Sequence, residues 1–261
     1  MRIGITGGRG TLGRILQAKL RSAGIAHTCF PGDVCKPEEL QAWLASESPD
    51  ALVHFAAAVG TQLVQPQPAH AFQVNVGGTA NLAAALAAQP KKPWLFYAST
   101  SHVYLPQAKP IAESDPVAPI NVYGLSKRMG EQVVEASAAA AGVEFCIGRI
   151  FSFYHPSQTG SLLYPTLQRR FVTEDLTQPF KLFGAEDVRD LSLADHLVDH
   201  VIALAHRRAT GIVNIGSGKG TRIADFVQSV APRPLTIINA SVGPASSLVA
   251  DISRLRQLLG S

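Results

Sequence analysis

The sequence predicts an α/β fold, a parallel sheet wound on both faces by helices. Three observations carry that reading. Apolar runs of strand length alternate with longer runs of helical periodicity. Most of the strand-like runs lack polar alternation, as expected of parallel strands covered on both faces. A glycine-rich turn separates the first strand from the first helix, in the order a βαβ unit requires.

The first strand is predicted over residues 2–6, around Ile3 and Ile5. Thr6-Gly7-Gly8-Arg9-Gly10-Thr11-Leu12-Gly13 follows, and then a helix over 12–23 with Leu12, Ile15, Leu16 and Leu20 on one face. Glycines let the chain turn tightly and let a dinucleotide lie against the backbone. The bare N–H groups at the helix start favour an anionic phosphate. Further strands are predicted over 26–30, 51–57, 94–99, 144–150 and 212–215, and helices over 37–46, 68–89, 122–141 and 194–207. The alanine-rich tracts 83–88 and 136–141 fall on helical patterns and are expected to pack closely on the sheet or on a second subunit. From about His155 the rhythm breaks, and Pro156, Gly160, Pro165 and Pro179 punctuate a looser region with short helices. The expected organisation is a dinucleotide-binding domain over 1–155 and a mostly substrate-binding annex over 156–261, with 191–218 returning to the sheet.

Composition narrows the class. The 261 residues are 46% hydrophobic and 16% charged, which suits a compact folded chain rather than a disordered one. No apolar run is long enough to span a bilayer. A strand begins at once, so no signal peptide is expected and a cytoplasmic location follows. The three cysteines, Cys29, Cys35 and Cys146, lack metal spacing and read as buried reduced thiols. A net charge of +4 suits an anionic ligand, but the Lys and Arg residues are scattered, which argues against nucleic acid. Arg169-Arg170 and Arg207-Arg208 read as solvated helix ends. His196 and His200, four apart with Asp195 and Asp199 nearby, lack a third ligand and read as a solvated helix face, so no metal is expected.

The residues with chemistry are Thr100, Tyr123 and Lys127. Tyr and Lys four apart lie on one helix face, so both can reach one site. A free phenol titrates near ~10, and a neighbouring ammonium is expected to lower that value. Thr100, at the end of a neighbouring strand, is placed to hold a substrate oxygen. Together they suit proton transfer at a carbinol while a hydride moves to or from nicotinamide. A Tyr-x-x-x-Lys spacing also arises by chance as an ordinary exposed pair.

The motifs recur in a definite order: the Gly7, Gly10, Gly13 loop; Gly32-Asp33-Val34; His54-Phe55-Ala56-Ala57-Ala58; Asn75-Val76-Gly77-Gly78-Thr79; Ala98-Ser99-Thr100-Ser101-His102-Val103-Tyr104; Asn121-Val122-Tyr123-Gly124-Leu125-Ser126-Lys127; Arg149; Arg189-Asp190 with Asp195; Asn214-Ile215-Gly216-Ser217-Gly218; and Asp251-Ile252-Ser253. Nearly end to end this resembles the extended short-chain dehydrogenase/reductase family, in its nucleotide-sugar epimerase and reductase branch. The resemblance implies a Rossmann-type domain. It implies cofactor contacts from Gly7, Arg9, Gly10, Thr11, Leu12, Gly13, Asp33, Val34, Phe55, Ala56, Ala57, Asn75, Tyr123 and Lys127. Tyr123 would be the acid/base, Lys127 would orient it and hold the nicotinamide ribose, and Thr100 would bond the reacting oxygen. Thr100, Ser101 and Arg189 would meet substrate, Arg189 at a phosphate; its alternative is an ion pair with Asp187 or Asp190. A homodimer through a four-helix bundle of the alanine-rich helices is also implied.

Departures from the family pattern direct the choice of reaction. The Asp-Glu that family dehydratases carry after the catalytic Thr is here Ser101-His102, and the Glu of the decarboxylases is absent. Epimerisation through a keto intermediate or reduction of a 4-keto sugar remains. His102 stands where the resembling GDP-fucose synthases place an acid/base cysteine, and imidazole exchanges protons at pH 7; the alternative is a histidine bonded within its turn. His155 and Ser152 stand where Gly and Asn are usual. The chain ends soon after Leu258-Leu259-Gly260, which points to a minimal annex or a partly open pocket. Asp33 lies about 20 residues beyond the glycine loop, yet its setting resembles an adenine contact, while Arg9 could meet a 2′-phosphate; the cofactor is NAD or NADP, with NADP favoured. Two rivals stand beside this reading: a reductase or dehydrogenase of a non-nucleotide carbonyl compound, and a non-catalytic cofactor-binding regulator.

Overall fold

The computed structural model describes residues 1–60 and 64–260. Its centre is a six-stranded sheet built from β1 (Ile3–Thr6), β2 (His27–Cys29), β3 (Ala51–His54), β4 (Trp94–Thr100), β5 (Phe145–Ile150) and β10 (Gly211–Ile215), in the order β10-β5-β4-β3-β1-β2. Every pairing in it is parallel. The order reverses beside β1, and the crevice outside the carboxyl ends of the strands opens at that switch point.

Alternating strand residues feed two separate cores, which is why the strand runs carry no polar face. Ile3, Ile5, Trp94 and Phe96 turn to one side and meet Leu16 and Leu20 of α1 (Thr11–Ser22), Val201 and Leu204 of α7 (Ala194–Arg207) and Leu255 of α9 (Ser253–Leu259). Leu52, Leu95 and Tyr97 turn to the other side. There they meet Leu40 and Leu44 of α2 (Pro37–Glu47), Leu82 and Leu86 of α4 (Gly78–Ala87) and Val134 of α5 (Val122–Ala141). Each such side chain contributes roughly 1.5–3 kcal/mol on burial.

Two elements depart from the sequence expectation, and both departures shape the site. The strand expected over 51–57 stops at His54, because its partner β1 ends at Thr6, the residue paired with His54. Phe55, Ala56 and Ala57 continue outside the ladder and floor the crevice. The helix expected over 68–89 is two helices, α3 (Pro68–Phe72) and α4, joined by a π-turn at Gln73–Gly77. The wider turn buries Asn75 and directs its amide toward Ala58, at 2.8 Å from the Ala58 N–H to Oδ1.

The later half of the chain adds small elements too short for periodicity to reveal. They are β6 (Phe153–Tyr154) with β9 (Ser192–Leu193), β7 (Phe180–Leu182) with β12 (Ile237–Asn239), and β8 (Val188–Asp190) between β11 (Gly220–Arg222) and β13 (Ser247–Leu248). Helices α6 (Leu163–Thr173) and α8 (Ile223–Val230) close them over Leu167, Phe180, Leu182, Phe226 and Val227. Asp190 anchors this part. Buried, its carboxylate accepts from Ser217 N (2.8 Å), Ser217 Oγ (2.7 Å) and Gly218 N (2.8 Å). Cys29 and Cys35 are half-buried and only Cys146 is buried; all three thiols are free. Among the described residues no helix is long and apolar enough to cross a membrane.

Candidate active site

The crevice holds two adjoining cavities of about 520 and 540 Å³, which share Gly7, Gly10, Phe55 and Val59 as lining. Gly7 turns the chain at φ +72°, and a Cβ there would lie 2.5 Å from Ala56 N. Gly10 N donates to Gly7 O (3.0 Å), and a Cβ on Gly13 would strike Gly7 O. Backbone thus approaches backbone at two of the three glycines. Gly10 caps α1 without a side-chain bond, and the first turn holds no acidic residue. The amides of Thr11, Leu12 and Gly13 therefore begin the helix without a side-chain acceptor, and all three residues line the first cavity. That donor set fits a dinucleotide pyrophosphate.

Arg9, Phe30, Gly32, Asp33, Val34, Ala56 and Ala57 line the second cavity. The Asp33 carboxylate accepts from Cys35 N at 2.9 Å, and β2 runs out into Phe30 and Pro31 without an acid. Arg9 is exposed and joins no ion pair among the described residues. Beneath the floor, a hydrogen-bond chain pins β1 to β3. Thr79 Oγ1 donates to Asn75 O (2.7 Å), so it accepts from His54 Nε2 (3.3 Å), and His54 Nδ1 accepts from Thr6 Oγ1 (2.6 Å). Burial pushes His54 down to about 3, assisted by the Lys127 charge, so this ring is neutral.

Asn75 takes a different place from the one expected. It lies behind the crevice, with its amide committed to Ala58 N, Ala58 O (3.0 Å) and Ser126 Oγ (2.9 Å). Ser126 Oγ in turn donates to Tyr123 O at 2.8 Å. Asn75 thereby braces both the floor and the first turn of α5.

Helix α5 begins at a capped end: Asn121 Oδ1 accepts from Gly124 N at 2.8 Å. Tyr123, in the first turn, lines the first cavity opposite Thr100 and Ser101, which leave β4. Lys127, one turn on, is buried behind it, with Nζ 4.2 Å from the centre of the Tyr97 ring. Among the described residues no side chain hydrogen-bonds this ammonium. The electrostatics reverse the sequence expectation. Burial pushes the Tyr123 phenol up to about 12, opposed only by a bond to the Thr100 hydroxyl, and Lys127 does not pull it down. Burial pushes Lys127 itself down to about 7, against the pull of Glu131. At these two groups loss of hydration on burial outweighs the neighbouring charge.

His102 stands in a single 3₁₀ turn, its ring edge-on to Tyr123 at 5.8 Å. The cap fixes Asn121's orientation, so Asn121 Nδ2 is the donor toward His102 Nδ1 (3.3 Å), leaving the proton of the neutral ring on Nε2. Burial, and then the Arg189 charge, lower its proton affinity. Arg189 reaches the same cavity but is held from behind. Nη2 donates to Asp187 Oδ2 (2.9 Å) and Ser246 Oγ (2.8 Å), and Nη1 to Val188 O (2.9 Å) and Ser246 O (2.8 Å). Asp187 is its ion-pair partner; Asp190 is engaged elsewhere.

Other residues of the site had no clear signal. Phe151, Phe153, Leu162 and Leu191 line the first cavity from loops and a two-residue strand, and Leu163 and Ile223 from the first residues of α6 and α8. His155 turns to the outer side, with Nδ1 accepting from Ser157 N (3.0 Å) and Nε2 3.4 Å from Asp195 Oδ2. Glu131 is fully buried behind Lys127; its i+4 spacing from that lysine was the available clue.

Residues 3–216 match the profile of the NAD dependent epimerase/dehydratase family, and the chain belongs to that family of enzymes. It is 30% identical over 259 residues to the UDP-glucose 4-epimerase of Rhizobium meliloti (strain 1021), covering 88% of this chain and 77% of that one. It is 28% identical over 267 residues to the GDP-6-deoxy-D-mannose reductase of Pseudomonas aeruginosa, covering 98% and 87%. Among solved structures, RMD from Pseudomonas aeruginosa complexed with NADPH superposes with a TM-score of 0.88 at 24% identity, over 99% of this chain and 91% of that one. The UDP-glucose 4-epimerase of Thermus thermophilus, in complex with NAD, gives 0.84 at 21% identity, over 98% and 92%. The family and the doubly wound fold expected from the sequence are both met. The neighbours carry either nicotinamide dinucleotide and do not separate NAD from NADP.

Proposed function

We propose that the protein is an NAD(P)-dependent nucleotide-sugar epimerase or 4-keto-sugar reductase working through Thr100, Tyr123 and Lys127. The observation that carries this reading is the convergence of Thr100 and Tyr123 on one cavity that also receives the uncapped start of α1. The glycine turn and the amides of Thr11, Leu12 and Gly13 would hold the pyrophosphate, Asp33 and Val34 the adenine end, and Phe55, Ala56 and Ala57 the underside of the dinucleotide. The buried Lys127 ammonium, without a side-chain partner among the described residues, would take the ribose hydroxyls. When bound, the nicotinamide supplies hydride exchange with the substrate carbon. Thr100 holds the reacting oxygen, and Tyr123 gives or takes its proton. The Tyr123 phenol, pushed up to about 12, carries its proton at neutral pH and can give it to a forming alkoxide. His102 is neutral, faces Tyr123, and would assist proton exchange; Ser101 would contact substrate beside it. Arg9, exposed and in no ion pair among the described residues, favours NADP. The homodimer remains part of this reading.

Arg189 supports a second reading. It is the sole Lys or Arg among the described lining residues of the first cavity, and both its Nη atoms are engaged. That arrangement favours a carbonyl substrate without a diphosphate. The test is a thermal-shift panel of UDP, GDP, dTDP and CDP sugars and simple ketones, with each cofactor, followed by turnover of the ligands that stabilise. Tyr123→Phe is expected to lower turnover roughly 10²- to 10⁴-fold while cofactor still stabilises the protein. Undiminished hydride exchange in that variant ends the proposal.

A further inference from the structure

Glu131 is the point where the helix and the strand of the site are tied together. It has no exposure, yet four donor groups converge on its carboxylate. Ser99 Oγ and Arg149 Nε (3.0 Å) bond Oε1; Arg149 Nη2 (2.9 Å) and Arg128 Nη1 (2.8 Å) bond Oε2. Ser99 directly precedes Thr100 on β4 and is the register partner of Arg149 on β5. Glu131 itself follows Lys127 by one turn and Tyr123 by two on α5. Arg149 extends the network, donating from Nη1 to Tyr104 Oη (2.8 Å), which donates to Asn214 Oδ1 (2.8 Å) on β10.

We propose that Glu131 is a positioning residue of this site, fixing α5 against β4 so that Tyr123 and Thr100 converge, and setting a carboxylate one helical turn from Lys127. The inference rests on the assignment of Thr100, Tyr123 and Lys127 made above. A buried carboxylate with so many donors is costly to remove, because its loss leaves the Arg149 guanidinium buried without its partner. The groups around Lys127 are Tyr123 and Glu131 on its own helix, Tyr97 on β4 and the neutral His54 on β3, with Arg149 of β5 and Arg128 reached through Glu131. Among the described residues Glu131 is thus the one carboxylate in that group, and it opposes the fall in Lys127 proton affinity that burial imposes.

The experiment compares Glu131→Gln, Glu131→Asp and Ser99→Ala with the parent. The first readout needs no cofactor: NMR titration of lysine side-chain 13Cε signals, with Lys127 assigned by its loss in Lys127→Met. Glu131→Gln is expected to move the Lys127 titration to lower pH by about one unit or more, and Glu131→Asp to bring it back toward the parent. Ser99→Ala keeps the carboxylate, so the titration should stay in place. It loses one tie to β4, so kcat should fall roughly 10- to 100-fold at unchanged KM. In Glu131→Gln the alkaline limb of the kcat–pH profile should move with the titration. A Lys127 titration unmoved in Glu131→Gln, or parent kinetics in Ser99→Ala, overturns the proposal. If Glu131→Gln does not fold, the kinetics of Ser99→Ala decide: the kcat loss supports the proposal and parent kinetics overturn it. Retained turnover in Tyr123→Phe would instead overturn the underlying assignment, and the cofactor-free titration separates the two failures.

Discussion

His54 and Lys127 are buried bases, and each is held toward its neutral form for lack of hydration. For His54 the folded value of about 3 lies below the ordinary 6.5. The unfolded chain therefore binds a proton between these values that the folded chain does not. Stability from this group is full above pH 6.5 and falls as pH drops toward 3, by up to ~1.4 kcal/mol per unit. His102 and His200 are also lowered by burial and add to the same slope. Urea denaturation at pH 7 and pH 5 is expected to show the loss, and His54→Gln should flatten it, at a lower stability overall because two hydroxyl partners lose their ring. An unchanged slope in His54→Gln would reject this account. Lys127 acts with the same sign at higher pH: between about 7 and 10.5 the unfolded chain holds the extra proton, so stability rises with pH across that window. The sequence showed the Tyr123–Lys127 pair but not its protonation. Spacing on a helix reports who is adjacent, whereas the balance of hydration and charge depends on what covers them.

At the scale of elements, the two helix starts that frame the crevice are treated oppositely. Asn121 caps α5, while Gly10 leaves α1 open. Replacing Asn121 by Ala should cost about 1 kcal/mol by losing the cap, and should also release His102, whose Nδ1 lies 3.3 Å from the Asn121 amide. Gly10 sits at φ −74° and ψ 172°, which any residue adopts, and a Cβ there meets nothing closer than Gly7 O at 3.4 Å. Gly10→Asp should therefore fold with stability within a few tenths of a kcal/mol of the parent. It would place a carboxylate where the pyrophosphate is expected, so the thermal shift given by NAD or NADP should disappear. A shift equal to the parent's would place the phosphate elsewhere. The start of α1 was legible because a glycine turn is written locally, and α5 and α7 were bounded correctly from their periodicity. The early end of β3, the π-turn around Asn75 and the two- and three-residue strands after residue 150 were not legible. Each is set by a partner distant in sequence: Thr6 for His54, Ala58 for Asn75, and Ser246 for Arg189.

At the scale of the whole molecule, the outer faces of α4 and α5 are what the fold leaves unfinished. Their inner faces are committed to the sheet, where Leu82, Ala85, Leu86, Val134 and Ala138 are buried. The outer faces carry exposed Ala84, Ala88, Ala136, Ala139 and Ala140, with Leu125 at 43% and Met129 at 38% exposure. Leu125, Met129 and Ala136 follow one another at intervals of four and seven, which keeps them on one side of α5. Small side chains let a second helix pair approach closely, and two larger apolar ones supply area to bury. The site gains from such a partner through rigidity, since α5 carries Tyr123 and Lys127 at its start and Ala136, Ala139 and Ala140 near its end. Light scattering on a sizing column is expected to give twice the chain's 27.7 kDa at micromolar concentration. Met129→Lys, which puts a charge into the middle of that face and touches no residue of the crevice, should give the single-chain mass. Its melting temperature should fall and lose its dependence on protein concentration, because association stabilises by mass action. A parent that runs as a monomer throughout that range, or a Met129→Lys variant that still runs as a pair, would remove these helices as the interface.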